Sequence, residues 1–210
     1  NLSESSEEII GRNIFSILGN LYPESVLSHR SAFEFEPTSS GQIFVTYTYT
    51  KKISLPGIDI NFLKGSGPIH GDYKFSGELY VSQPARAFLE NLQVSRKPGP
   101  ESKTLTLPEI EEKLELIIRV NGEEELNAVR DKAKEISVLL GMEKEFQKLN
   151  KIISALLSTH PSKILKSPLA TARAFGLPYD PERIKLFQIL FQELNKTEFQ
   201  NRIDRNTTLN

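Results

Sequence analysis

Three groups of side chains in this sequence have types and spacings that could do chemistry. The first is the loop Lys64-Gly65-Ser66-Gly67-Pro68-Ile69-His70-Gly71-Asp72. Backbone amides freed by its glycines could cradle a phosphate beside Lys64. The spacing matches neither nucleotide motif. Gly67 and Gly71 are four residues apart where G-x-G-x-x-G needs three, and no Lys-Ser or Lys-Thr follows the last glycine as in a P-loop. A strand-connecting loop that needs positive φ explains the same glycines. The second group is Asp59 with Asp72-Tyr73-Lys74. Two acids holding Mg²⁺ and a lysine orienting the attacking water would make a metal-dependent nuclease site. Asp72, however, follows Gly71 in what reads as a turn. The third group is the histidines His29, His70 and His160, none at metal-ligand spacing to another His or acid on one helix face. Ser28 and His29 are sequence neighbours, which on a strand point to opposite faces, and this argues against a nucleophile–base pair. His29 beside Arg30 reads instead as an anion contact or a local hydrogen-bonding group. No catalytic residue, metal site or cofactor is expected.

These groups need elements to position them. Ser3 to Ser6 before Glu7 and Glu8 read as a capped helix start, and Ile10, Ile14, Ile17 and Leu18 carry the helix on to an expected end at Gly19. Val26 to Phe33 reads as a strand end followed by one helical turn. Ile43 to Thr50 alternates, with Ile43, Val45, Tyr47 and Tyr49 on one face. Ile53 to Leu55, Pro56-Gly57 and Ile58 to Leu63 read as a hairpin. Glu78 to Val81 is expected to close a small, mainly antiparallel sheet. A helix over Pro84 to Leu92, with Ser82 as its N-cap, is expected to cover that sheet. Residues 93–105, with two prolines, a glycine and three basic side chains, read as a mobile linker. Beyond it the periodicity is helical. Thr106 and Glu109 have capping-box spacing, Asn121-Gly122 ends a first stripe, Gly141 a second, and His160-Pro161 a third. Short helices are expected after Ser167-Pro168 and Asp180-Pro181.

Composition narrows the classes. At 210 residues, with 38% hydrophobic and 25% charged side chains, the chain has enough apolar material for a packed core. The net charge of −1 supplies no global field for nucleic acid or anionic lipid. A local excess exists: eight Lys and Arg against five Asp and Glu between residues 43 and 103, or +3. With Tyr47, Tyr49 and Tyr73 it could form a nucleic-acid face, although lysines on a solvated sheet face give the same count. The absence of cysteine excludes disulfides and thiolate metal sites and fits a reducing, cytoplasmic compartment. No run is long enough to span a bilayer, so no membrane partner is expected. The chain opens at Asn1 in mid-pattern, and we expect it to be part of a longer protein.

Two stretches carry a resemblance. Tyr22-Pro-Glu-Ser-Val-Leu-Ser-His-Arg-Ser-Ala-Phe33, Leu55-Pro-Gly-Ile58, Lys64 to Asp72, and Ala85-Arg-Ala-Phe-Leu-Glu-Asn-Leu92 together resemble the AbiEi-type antitoxin-like region. Phe175-Gly-Leu-Pro-Tyr-Asp-Pro-Glu-Arg183 resembles the segment upstream of the Fic domain in bacterial Fic-family proteins, some of which carry such a module at the N-terminus. The resemblance implies a regulatory role, with DNA and a Fic domain in the same polypeptide as partners. The Fic motif H-P-F-x-x-G-N-G-R is absent, since the one His-Pro pair, His160-Pro161, is followed by Ser162-Lys163. The inhibitory [ST]-x-x-x-E-[GN] motif is also absent. Glu90-Asn91 has its ending, but Arg86 stands at the Ser/Thr position.

The reading is an α+β fold, a small mainly antiparallel sheet packed with helices, followed by an all-helical region. Residues 1–104 are expected to form the antitoxin-like domain, 105–160 a helical bundle, and 161–210 the segment resembling the region before a Fic domain. The expected function is a non-catalytic regulatory module of a Fic-family protein or transcriptional regulator, contacting DNA or a partner. His29, Arg30, Lys51, Lys52, Lys64 and Arg86 are the expected binding residues. The alternatives are a nuclease-like domain using Asp59, Asp72 and Lys74, or a structural linker.

Overall fold

The computed structural model describes residues 5–95 and 101–159. The expected helices after Ser167 and Asp180, the His160-Pro161 stop, and the stretch Phe175 to Arg183 lie outside the described residues. In chain order the elements are α1 (Ser6–Leu21), β1 (Val26–Leu27), α2 (Ser31–Glu34), β2 (Gln42–Tyr47), β3 (Lys51–Leu55), β4 (Ile58–Lys64), β5 (Tyr73–Ser76), β6 (Leu79–Val81), α3 (Pro84–Asn91), α4 (Leu107–Leu140) and α5 (Glu143–Thr159). The fold is α+β with a helical region following the sheet. Among the described residues no helix is long and apolar enough to cross a membrane.

The six strands form one mixed sheet in the order β3-β4-β2-β1-β6-β5. Three pairings are antiparallel, and β1 runs parallel to β6 and β2 parallel to β4. The β3–β4 hairpin turns at Pro56-Gly57 as expected, and its second strand inserts between β3 and β2. Strand β4 shows the period-two pattern of a sheet with one apolar face, with Ile58, Ile60 and Phe62 buried. Strand β2 departs from it. Phe44 and Thr46 are buried like Ile43 and Val45, with the Phe44 amide donating to Ser31 Oγ and the Thr46 hydroxyl to Ser28 Oγ.

Helix α1 starts where its sequence signature lies. The Glu8 amide donates to Ser5 Oγ and the Ser5 amide to Glu8 Oε2, a reciprocal capping box. It does not stop at Gly19 but continues to Leu21. Gly19 is buried there, and a Cβ on it would collide with the backbone carbonyl of Ser76. Its role is close approach between α1 and the β5–β6 turn, not termination.

Helix α3 is buried along nearly its whole length, Ala85 through Asn91. Its N-cap is Gln83, not Ser82. The cap side chain makes no bond to the helix, and Ser82 turns inward to Glu90 instead. Helix α4 packs on α3. Gly122, with φ 88° and ψ 175°, interrupts α4 where the sequence signalled a helix end, leaving helical segments 107–121 and 123–140 on either side.

The chain divides into two compact units, 1–153 and 154–210. In the first, the segment expected to be a mobile linker is tied down at its described end. Glu101 accepts hydrogen bonds from the hydroxyls of Thr38, Ser39 and Ser40. The amide of Arg30 donates to Lys103 O, and the amide of Leu105 to Asn91 Oδ1. Residue 104 is therefore no unattached boundary. In the second unit the described residues are 154–159, the end of α5.

Two helix glycines make a paired test. Gly19→Ala should destabilise the chain by about 1–3 kcal/mol through overpacking against the Ser76 carbonyl. Gly11, exposed in the same helix with nothing within 4 Å of an added Cβ, should gain about 0.5–1 kcal/mol as Gly11→Ala. Urea unfolding of the two variants reads both.

Candidate functional site

The chemistry-bearing residues converge on Arg86. Its side chain is 1% exposed, and a guanidinium so placed must find acceptors for its fork of N–H groups. Nε donates to Glu90 Oε1 at 2.8 Å, one helical turn on. Nη1 donates to Asp72 Oδ2 at 2.6 Å and to Gly67 O at 2.9 Å, and Nη2 to Ser66 O at 2.8 Å. The glycine-rich loop thus turns the carbonyls of Ser66 and Gly67 to a cation, while its Ile69 amide is taken by its own Asp72. It is organised around a cation, the reverse of a phosphate cradle. Gly65 is needed for space, since a Cβ there would stand 2.7 Å from Thr46 Cγ2. Gly71 is needed for its backbone, with φ at 98°.

Asp72 is fully enclosed. Besides Arg86, it accepts from the amides of Ile69 and Gln83 at 3.0 Å each, so it closes its own loop and anchors the start of α3. A carboxylate at that helix's N-terminus is also favoured by the helix dipole. Glu90 completes the acidic pair, its Oε2 accepting from Ser82 Oγ at 2.8 Å and from the His29 amide at 3.2 Å.

His29 is 4% exposed and sits in the left-handed region, with φ 53°. That conformation takes it out of the strand geometry expected for Ser28-His29. The two side chains do not point to opposite faces. His29 Nδ1 lies 3.0 Å from Ser28 Oγ, and Nε2 lies 3.2 Å from Gln93 Oε1. The directions of the hydrogen bonds follow. Gln93 Oε1 also takes the Lys103 ammonium at 3.3 Å, so it accepts, and Nε2 carries the imidazole proton. Nδ1 then accepts from Ser28, whose oxygen accepts from Thr46 Oγ1 at 2.8 Å. The result is a neutral imidazole in a one-way chain Thr46, Ser28, His29, Gln93. Burial, the largest effect, holds the His29 pKa below its ordinary value of 6.5 against the pull of Glu90.

Arg30 lies in a second, separate cluster. It is 3% exposed, paired with Glu34 at 2.7 Å and Glu109 at 2.8 Å, and bonded to the carbonyls of Ser102 and Thr104. Glu109 also accepts from the Thr106 amide at the start of α4. Its pKa is lowered to about 2, chiefly by Arg30.

Of the six residues expected to bind, then, His29, Arg30 and Arg86 are buried and engaged. Lys51, Lys52 and Lys64 are exposed. Lys52 pairs with Asp59 at 2.8 Å, while Lys51 and Lys64 carry no ion pair among the described residues. The tyrosines separate too. Tyr47 and Tyr49 meet edge to face, whereas Tyr73 lies on the edge strand β5, three strands from β2. Sequence reasoning took Ser82 only for an N-cap, weighed Glu90 only as a charge and as a motif ending, and gave Gln93 and Thr46 no part in a site. The signal that was present is Arg86 and Glu90 at i, i+4 in a stretch otherwise rich in Ala, Phe and Leu.

A cavity of about 400 Å³ opens over this cluster, with His29, Arg86 and Glu90 in its lining and Lys64 and Lys103 among its walls. Among the described residues no group of three His, Asp or Glu is placed to hold a metal ion. No protein-family model matches the chain, and neither a curated protein nor a solved structure matches it.

Removing Arg86 leaves Asp72 and Glu90 buried without their cation. Arg86→Ala should therefore lower stability by about 3–5 kcal/mol. Lys64→Ala, at the same loop but in solvent, should stay within about 0.5 kcal/mol of the parent in the same urea titration.

The lowered pKa of His29 also sets a pH dependence. Its neutral form is favoured only when folded, so its contribution is complete above pH 6.5 and is lost as pH falls toward the folded-state pKa. From pH 6.5 down to that lowered pKa, stability should decline with a slope of up to about 1.4 kcal/mol per pH unit. His29→Asn removes the titration while tolerating the left-handed backbone. The decline over that window should flatten in urea midpoints measured against pH, whatever the variant's absolute stability.

Proposed function

We propose that this chain is a non-catalytic regulatory module of a bacterial Fic-family protein or transcriptional regulator. It works in the cytoplasm by binding DNA through the lysine-bearing end of its sheet, and a Fic domain in the same polypeptide is the partner it would regulate. The observation that carries this reading is the division among the charged side chains. Arg30, Asp72, Arg86 and Glu90 are held in pairs inside, whereas Lys51 and Lys64 stand exposed without a carboxylate partner among the described residues. The two lysines belong to one end of the sheet, since the Lys64 amide donates to the hydroxyl of Thr50, next to Lys51. Exposed cations at neighbouring positions suit phosphate contact, and the resemblance to an antitoxin-like regulatory region supplies the class.

The nuclease reading is less well supported. Asp59 is on β4, while Asp72 immediately precedes β5 and Lys74 lies on it, and three strands stand between β4 and β5. Four strand spacings amount to about 19 Å, too far for one metal ion to bridge. Each of the three side chains is also paired, Asp59 with Lys52, Asp72 with Arg86 and Lys74 with Glu78.

Fluorescence anisotropy with a labelled mixed-sequence duplex at low salt tests the proposal. The chain should bind, and Lys51→Glu with Lys64→Glu should weaken binding by about tenfold or more. The duplex should stay intact with Mg²⁺ or Mn²⁺. An unchanged binding curve in the double variant, or metal-dependent cleavage lost in Asp59→Asn, would overturn it.

A further inference from the structure

The cavity over Arg86 has walls of two kinds. The floor is polar and closed. Arg86, Glu90, His29 and Thr46 are each hydrogen-bonded to a named partner within the chain. Ser25 Oγ is the one buried side-chain polar atom without a partner among the described residues, and it lies outside this lining. A floor so cross-linked resists collapse, and His29 is held in a left-handed backbone conformation that its surroundings must enforce. The walls are different. Two cations, Lys64 and Lys103, belong to the lining, with Gln93 accepting from Lys103. Leu63, and Leu140 with Met142 from the α4–α5 turn, supply an apolar side.

The charges around the cavity do not balance within it. Arg86 is paired with both Asp72 and Glu90, which leaves one negative charge over, and Glu90 is the one acid among the lining residues. Lys64 has no ion pair among the described residues, and the Lys103 ammonium is hydrogen-bonded to the neutral Gln93 amide. Burial depresses the Lys103 pKa, and Glu90 opposes that shift by attracting the ammonium.

We infer that this cavity is an effector site for a small amphipathic anion. Its carboxylate or phosphate head lies between Lys64 and Lys103, and its apolar body lies against Leu63, Leu140 and Met142. The volume, about 400 Å³, falls in the range of small-molecule pockets, which pair an apolar lining with a few placed polar groups. A hydrogen-bonded floor, two lysines outside any ion pair among the described residues, and apolar lining from Leu63, Leu140 and Met142 form that combination. The purpose of such a site rests on the regulatory reading above; its chemistry does not.

Isothermal titration calorimetry on the full 210-residue chain tests it, with phenyl phosphate, 4-phenylbutyrate and the neutral 4-phenylbutanamide as probes. At least one anion should bind saturably, with the amide about tenfold weaker or worse. Preference for phenyl phosphate identifies a phosphate head and preference for phenylbutyrate a carboxylate; either supports the site. Lys64→Met and Lys103→Met should each weaken the bound anion by about tenfold. Lys64 is exposed, so its variant keeps the test readable should Lys103→Met fail to fold. Lys51→Glu should leave anion affinity unchanged while weakening DNA binding, which separates failure of this site from failure of the DNA reading. No saturable binding by either anion up to about 10 mM, an amide as tight as the anions, or unaltered affinity in Lys64→Met would overturn the inference.

Discussion

Arg86 carries its positive charge on a side chain only 1% exposed, and much of the first unit is arranged to make that tolerable. The effective penalty for burying such an ion is several kcal/mol, and attraction offsets it only where geometry is good and every donor is used. The acceptors come from three places in the chain: Glu90 one turn along α3, Asp72 at the end of the glycine-rich loop, and the carbonyls of Ser66 and Gly67 within it. Each acceptor then fixes something else. Asp72 holds the amides of Ile69 and Gln83, and Glu90 holds Ser82 and the amide of His29. The loop conformation, the start of α3 and the turn after β1 are thus coupled through one guanidinium. Such a network adds specificity of arrangement more than net stability, because a well-packed apolar substitute for the whole set would avoid the desolvation altogether.

His29 shows the coupling at its most constrained. A non-glycine residue in the left-handed region is strained by about 1–2 kcal/mol, yet only from there does its amide meet Glu90 while its ring meets Ser28. The ring has a proton on one nitrogen alone, because Gln93 demands a donor and Ser28 supplies one. A serine beside a neutral histidine is also the arrangement of a nucleophile and its base. Here the serine is fully buried and accepts from Thr46, and the histidine's second nitrogen faces an amide in place of a carboxylate. These contacts hold a wall in place; they do not present an oxygen to a substrate.

What the sequence made legible follows from range. Local signals read well. The Ser5–Glu8 capping box, the Pro56-Gly57 hairpin, the alternation of β4 and the break at Gly122 all depend on residues within a few positions of each other. Long-range pairing did not. The parallel insertion of β4 beside β2 has no local marker, and neither has the burial of both faces of β2. The same divide runs through the site. Composition treats Arg86, Arg30 and Lys64 alike as cations, yet burial separates them, and burial is set by what α3, α4 and the loop bring from far along the chain. The pair Arg86–Glu90 was readable as an i, i+4 contact, whereas Asp72–Arg86 and Arg30–Glu109 bridge 14 and 79 positions. Ser28-His29 failed for a different reason: strand alternation was the right rule for the wrong backbone, since the strand ends at Leu27.

The division between spent and unspent charge connects the core to function. A loop rich in glycine beside a lysine invites the idea of a phosphate held by backbone amides. With its carbonyls turned inward to Arg86, this loop has no such nest to offer, and an anion reaching it meets side chains instead. Those side chains are Lys64 at the loop's start and Lys103 on the segment that the Arg30 amide ties in place. Lys103 belongs to a stretch whose composition suggests mobility, yet its neighbours Ser102 and Thr104 are buried and their carbonyls accept from Arg30. The second buried arginine therefore positions one wall of the cavity as the first positions its floor. Recognition is left to the two lysines that the buried arginines place but do not neutralise.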